Sequence, residues 1–78
     1  MSSITVDQRL DARGLSCPLP IVKTAAAMKG LAPGQTLEVL ATDPGSVKDF
    51  EAWCRSTGNE LVEQSSEGGV YRFLLRKK

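Results

Sequence analysis

Apolar and polar residues change places along this chain with two different periods. Over residues 4–10 they alternate, with Ile4, Val6 and Leu10 on one side and Thr5, Asp7 and Arg9 on the other. A period of two is that of a half-buried strand. After Pro18 the period lengthens. Ile21, Val22, Ala25 and Met28 recur at helical spacing, neighbouring alanines raise helix propensity, and Gly30 supplies a C-terminal stop. Pro33, Gly34 and Gln35 form a turn signal. Residues 36–42 alternate again, with Leu37, Val39 and Ala41 on one face of a second strand. Asp43 and Pro44 then open a second helix as N-cap and first helical residue. Val47, Phe50 and Cys54 share its apolar stripe, and Gly58 ends it. Residues 60–64 read as a short strand, 65–69 as a turn and 70–76 as a last strand. Two strands around a short Gly-containing loop predict an antiparallel hairpin.

The order is therefore strand, helix, strand, helix, strand, strand. Two helices cannot cover both faces of four strands. The expected fold class is α/β, a two-layer βαβαββ sandwich with a four-stranded mixed sheet and both helices packed on one face. A helix joining parallel neighbours should cross over in the right-handed sense. The 78 residues are read as one domain, 1–78, without repeat, linker or low-complexity segment. So short a chain buries a modest share of its surface, and small domains often add disulfides or a metal. Two cysteines and no histidine cannot make a four-ligand zinc site without carboxylates. Packing must supply the stability, and no metal or cofactor is expected.

Ten basic and nine acidic residues leave a formal charge of +1. A dedicated nucleic-acid binder normally carries a strong basic excess, so direct nucleic-acid binding is not expected. Arg76, Lys77 and Lys78, with Arg72 nearby, make the end of the chain basic. Such a run is read first as a solvated end, and second as a docking patch for an acidic partner or RNA. Residues 1–10 lack the basic and apolar regions of a secretory signal, and no stretch approaches the ~20 apolar residues of a membrane span. The expected compartment is the cytoplasm, which keeps thiols reduced and disfavours a Cys17–Cys54 disulfide. Nothing in the sequence demands more than a monomer.

The chemistry concentrates at residues 10–23, LDARGLSCPLPIVK. A helix begins with about four backbone N–H groups that lack intrahelical partners, so a proline in its first turn forfeits nothing. With Pro18 as the first helical residue, Cys17 is the N-cap and Pro20 the third residue. The N–H groups of Leu19 and Ile21 then remain as free donors. A sulfur there meets converging N–H groups and the positive end of the helix dipole, which favour thiolate over thiol. The prolines stiffen the turn that carries it, and Arg13 could add positive charge. The alternative, a small buried hydrophobe, is the commoner fate of free cysteine; the helix-start context argues against it for Cys17. Cys54, late on an apolar helical stripe, is assigned to the core or its margin. The lone Trp53 is read as partly buried.

The nucleophile lacks partners for complete catalysis. Without histidine there is no Cys–His pair. There is no phosphate loop and no CxxC pair. Asp11 alone would raise a thiol pKa. One activated thiol with little other machinery suits a carrier that receives a group, holds it and hands it on.

These residues resemble the TusA/SirA-type sulfur carrier proteins. The Cys-Pro-x-Pro element lies at Cys17, Pro18, Leu19 and Pro20, preceded by Leu10, Asp11, Arg13 and Gly14 and followed by the Asp43-Pro44 helix start; the likeness extends through residues 33–63 into 71–77. It implies a βαβαββ sandwich with Cys17 as the persulfide-bearing catalytic residue. Asp11, Arg13, Gly14, Pro18, Leu19 and Pro20 would support the motif and its thiolate. Implied partners are a cysteine desulfurase or rhodanese-type donor and a downstream relay acceptor. The sulfur would end in tRNA thiolation, molybdenum cofactor synthesis or sulfur oxidation. Such a protein has sulfurtransferase chemistry without being a stand-alone enzyme. Relay needs two sulfurs to meet, so Leu19 and Lys23 are candidate partner-binding residues beside Cys17, with Arg13 and the basic tail complementing acidic partners. The competing classes are a small RNA-binding module and a thiol-redox regulator acting through sulfenylation of Cys17.

Overall fold

The computed structural model describes residues 6–16 and 18–78. Ile4, Thr5 and Cys17 lie outside the described residues. Four strands and two helices follow in the order β1 (Gln8–Ala12), α1 (Leu19–Met28), β2 (Thr36–Ala41), α2 (Ser46–Thr57), β3 (Glu60–Glu67) and β4 (Val70–Arg76). The strands form one mixed sheet in the order β1-β2-β4-β3. The pair β1–β2 is parallel, and β2–β4 and β3–β4 are antiparallel. This is the expected architecture.

Register decides which side chains meet. Ala12 stands opposite Ala41, Leu10 opposite Val39, and Phe73 opposite Val39 from the other side. Because side chains alternate along a strand, Leu37, Val39, Ala41, Phe73 and Leu75 share one face, and all are sealed from solvent. Both helices pack there: Met28 of α1 and Phe50 and Cys54 of α2 join those strand residues in a single core cluster. The rings of Phe50 and Phe73 stack with centroids 4.4 Å apart. The opposite face of the sheet is a lattice of charges. Glu38 takes Arg9 and Arg72, Glu63 takes Arg72 as well, and Glu60 takes Arg76. Leu74 points to that face yet is buried, set between Glu38 and Glu63 in register.

Several boundaries differ from the sequence reading. β1 starts at Gln8. Asp7, just before it, clasps Thr36: its carboxylate accepts the Thr36 N–H at 2.8 Å, and its own N–H donates to the Thr36 carbonyl and Oγ1 at 3.2 Å each. α1 begins at Leu19, with Pro18 as N-cap, one residue later than expected. Its buried stripe is Pro20, Thr24 and Met28, whereas Val22 faces out. The Thr24 hydroxyl donates to the Pro20 carbonyl at 2.7 Å, so burying this polar residue leaves no unmet group. Gly30 follows the C-cap Lys29.

α2 begins at Ser46 with Gly45 as N-cap, not at Pro44 with Asp43. Asp43 heads a turn instead; its side chain accepts the Gly45 N–H and its carbonyl accepts the Ser46 N–H. Gly58 ends α2 in the left-handed conformation, φ +83°, donating to the Cys54 carbonyl, as expected of a C-terminal glycine. β3 runs to Glu67, so Ser65, Ser66 and Glu67 belong to the strand and only Gly68 and Gly69 form the turn. Both have positive φ, which a two-residue hairpin turn requires. A bulge between Leu61 and Glu63 adjusts the register of this edge strand.

The basic tail is built into the fold. Arg76 pairs with Glu60, and Lys77 Nζ donates to the carbonyls of Met28 at 2.9 Å and Leu31 at 2.6 Å. Neither is spare for a docking patch. Among the described residues no helix is long and apolar enough to cross a membrane, and no group of three metal-ligating side chains forms.

Candidate functional site

Parallel pairing puts the C-terminal ends of β1 and β2 side by side, in register at Ala12 and Ala41. The chain therefore leaves both strands at the same edge of the sheet. One departing segment runs through residues 13–18 into α1, the other through 42–45 into α2. The predicted site residues Asp11, Arg13, Gly14, Pro18, Leu19 and Pro20 fall at this edge or just beyond it.

Asp11 and Arg13 are brought together. Arg13 Nε and Nη2 donate to the two carboxylate oxygens at 2.9 Å each, and the Arg13 backbone N–H adds a bond to Oδ1 at 3.1 Å. The Arg13 side-chain hydrogen bonds, ahead of its backbone bond, lower the Asp11 carboxyl from 3.8 to about 2. At neutral pH both groups are charged, and each meets the other's charge. Arg13 is thus engaged with Asp11.

Gly14 follows at φ +81°, with open space where a Cβ would stand. It is glycine for conformation, not for room. Its N–H donates to Thr42 Oγ1 at 2.9 Å, joining the two departing segments. Leu15 turns inward against the core and donates to the Ala12 carbonyl at 3.3 Å. Ser16 is exposed, and its carbonyl accepts the Leu19 N–H at 3.0 Å. The Leu19 donor, expected to be free, is used in this turn. Pro18, exposed, has φ −99° and ψ 15°, and its carbonyl accepts the first helical bond, from Val22, at 3.0 Å. Pro18 therefore takes the cap position expected for Cys17, which precedes it. Pro20 is in the first turn, as expected, and is buried, tying the start of the helix to the core.

The outer face of the first turns of α1 is apolar and basic. Leu19 is 45% exposed and Val22 56%, the large apolar side chains most open to solvent among the described residues. Lys23 is exposed beside them, and the first turn carries no acidic residue. The sequence reading singled out Leu19 and Lys23. It missed Val22, counted there on the buried stripe, and Thr42, whose short polar side chain after a strand gave no signal by itself.

The second thiol is in a different world. Cys54 is buried in the core cluster, and loss of solvent pushes its pKa from 9.0 to about 11. Two shallow clefts flank the β3–β4 hairpin. One of about 240 Å³ is lined by Val47, Gln64, Ser65, Ser66, Tyr71 and Phe73. The other, of about 230 Å³, lies by Leu40, Val70 and Arg72. Neither is lined by any predicted site residue, and both are smaller than ordinary small-molecule pockets.

Known proteins resemble this chain in sequence and fold. The family model described as sulfurtransferase TusA matches residues 8–77. A sulfur carrier protein TusA of Allochromatium vinosum is 55% identical, the match covering 91% of this chain and 93% of that protein. A putative sulfur carrier protein, YrkI, of Bacillus subtilis is 51% identical over 91% of this chain and 95% of its own length. The crystal structure of a SirA-like protein from Desulfitobacterium hafniense superposes with a TM-score of 0.78 at 22% identity, covering 88% of this chain and 95% of the other. With both departing segments, both helices and all four strands inside the matched span, the chain belongs to the TusA sulfurtransferase family.

Proposed function

We propose that this protein is a sulfur carrier that holds a persulfide on Cys17 and relays it from a donor protein to an acceptor protein. The observation that carries this reading is the burial of the chain's other thiol. Cys54 is buried and its pKa is raised to about 11, so it stays protonated and shielded in ordinary buffer. The thiolate is the nucleophile in sulfur transfer. The family's chemistry therefore falls to Cys17, which sits between exposed Ser16 and exposed Pro18.

The transfer needs no oxidant. The Cys17 thiolate attacks the outer sulfur of a donor persulfide; the donor's S–S bond breaks as a new one forms, and the donor leaves as thiolate. In the second step an acceptor thiolate attacks the outer sulfur on Cys17, and Cys17 leaves as thiolate. Both steps use Cys17 sulfur as an anion, thiolate and then persulfide. In the chain Cys17 stands two residues before the start of α1, whose first turn carries no acidic side chain, and a helix N-terminus favours anions.

A partner must cover Cys17 for the sulfurs to meet. Leu19, Val22 and Lys23 offer it an apolar patch with one positive charge. The donor is a cysteine desulfurase or a rhodanese-type protein, and the acceptor is a relay protein with its own thiol. A reduced cytoplasm suits a carrier whose working sulfur must not be trapped as a disulfide. RNA binding finds little support. All four aromatic residues, Phe50, Trp53, Tyr71 and Phe73, lie on the helix side of the sheet, and the open face offers no stacking platform.

Mass spectrometry after incubation with a cysteine desulfurase and cysteine tests the proposal. The wild type and Cys54→Ser should each gain one sulfur atom, and Cys17→Ser none. Loading that follows Cys54 would overturn it. Peroxide oxidation of Cys17 without any persulfide loading would favour the redox-regulator reading instead.

A further inference from the structure

Thr42 lies outside the motif around Cys17, yet it touches the segment that carries that residue. Resting on the carrier reading above, we infer that Thr42 is a positioning residue for sulfur transfer. The observation is one hydrogen bond, Gly14 N–H to Thr42 Oγ1 at 2.9 Å, between residues 28 apart in the chain. The other bonds described for residues 13–19 are local: Leu15 to Ala12, Leu19 to Ser16, Val22 to Pro18, and the Asp11–Arg13 fork. Among the described residues, once the chain has left the β1–β2 ladder at Ala12, the Gly14–Thr42 bond is the one that ties this segment to a different element.

Its placement matters because the two ends of the segment differ in stiffness. At the helix end, Pro18 and Pro20 fix two φ angles, and Pro20 is buried. At the strand end, Gly14 holds a left-handed conformation with nothing packed where a Cβ would be. Glycine has the greatest backbone freedom to lose, so this residue is the natural hinge. Thr42 clamps the amide of that hinge. It can do so because Ala12 and Ala41 are in register, which leaves Thr42 one residue past its strand and Gly14 two residues past the neighbouring one. A thiolate held in one place relative to the start of α1 needs both ends fixed. The prolines fix one and Thr42 the other.

The test compares Thr42→Val, which keeps the shape and removes the acceptor, with Thr42→Ser, which restores it. The rate of Cys17 alkylation by iodoacetamide is followed against pH in a Cys54→Ser background, together with persulfide loading by a desulfurase. Thr42→Val should lower both rates at pH 7 about three- to tenfold, the ratio that one hydrogen bond commands. It should also move the alkylation midpoint to higher pH. Thr42→Ser should return both to within about twofold of wild type, because its hydroxyl again accepts a bond. A wild-type pH profile in Thr42→Val would overturn the inference. So would failure of Thr42→Ser to rescue. Amide exchange in the unmutated protein gives an independent arm: the Gly14 N–H should be protected, and free exchange there would also overturn it. If the unmutated protein never accepts sulfur, the carrier reading fails; if it loads and Thr42→Val loads equally, only the role of Thr42 fails.

Discussion

One of this chain's two cysteines sits where ionisation is costly. Cys54 has lost its solvent, and nothing near it repays the cost of an anion; burial is the first cause of its raised pKa. Its stability consequence has a definite sign. Above pH 9.0, the ordinary thiol value here, the unfolded chain gives up this proton while the folded protein keeps it until about pH 11. The stabilisation from a neutral Cys54 is therefore fully present below pH 9.0 and fades as pH rises toward 11. Urea melts of wild type and Cys54→Ala should differ by about 1 kcal/mol at pH 7, from lost packing, and the gap should narrow between pH 9 and 11. A constant gap would mean that Cys54 ionises as freely in the folded state as in the unfolded one. In a thiol titration with a disulfide reagent at pH 8, the native protein should release one fast equivalent and the second only on unfolding.

At the scale of elements, the chain closes on itself through a residue that reads as tail. α1 has no basic side chain in its last turn. Beyond the C-cap Lys29, a second cation reaches its C-terminal end from far along the chain, where Lys77 Nζ bonds the carbonyls of Met28 and Leu31. Carbonyls at a helix end lack intrahelical donors and carry partial negative charge, so a lysine is favoured there. Lys77→Met keeps most of the stem and removes the donors. It should cost about 1–2 kcal/mol in a urea melt, while persulfide loading of the folded protein stays unchanged. A stability loss below a few tenths would show that water replaces the ammonium at no cost.

This contact also marks what the sequence could and could not tell. Period-two alternation found β2 with its buried face, Leu37, Val39 and Ala41, because the pattern is local. Gly58 announced the end of α2 because only its backbone adopts that turn cheaply. The Cys-Pro-x-Pro element located the start of α1 to within one residue through local helix-start chemistry. The Lys77 cap, the Thr42 bond and the outward turn of Val22 depend on partners far along the chain. Thr24 misled the stripe because its polarity is cancelled by a bond to Pro20 that composition does not display. The Asp7 clasp on Thr36 was hidden for the same reason, its partners lying 29 residues apart.

On the scale of the whole molecule, one face of the sheet is sealed by helices and the other is held by charges in water. Exposed ion pairs stabilise little, about 0–1 kcal/mol each, and only the Glu38–Arg72 pair of the Arg9–Glu38–Arg72–Glu63 lattice is partly buried, so the lattice does not carry the fold. The helix side must. Its centre is the stack of Phe50 on Phe73, which joins α2 to β4, the one strand that pairs with both β2 and β3. A chain of this length has a total stability of roughly 4–12 kcal/mol at ordinary per-residue values. Removing a buried phenylalanine side chain costs about 3–5 kcal/mol. Phe50→Ala should therefore remove from about a quarter to all of that stability. Phe50→Leu, which keeps much of the apolar volume, should fold with a clearly lowered urea midpoint. Circular dichroism and urea melts of the two variants decide the matter. A well-folded Phe50→Ala with a midpoint close to wild type would mean that stability resides elsewhere, in the charged face or the edge strands, and that the stack is not the centre of the fold.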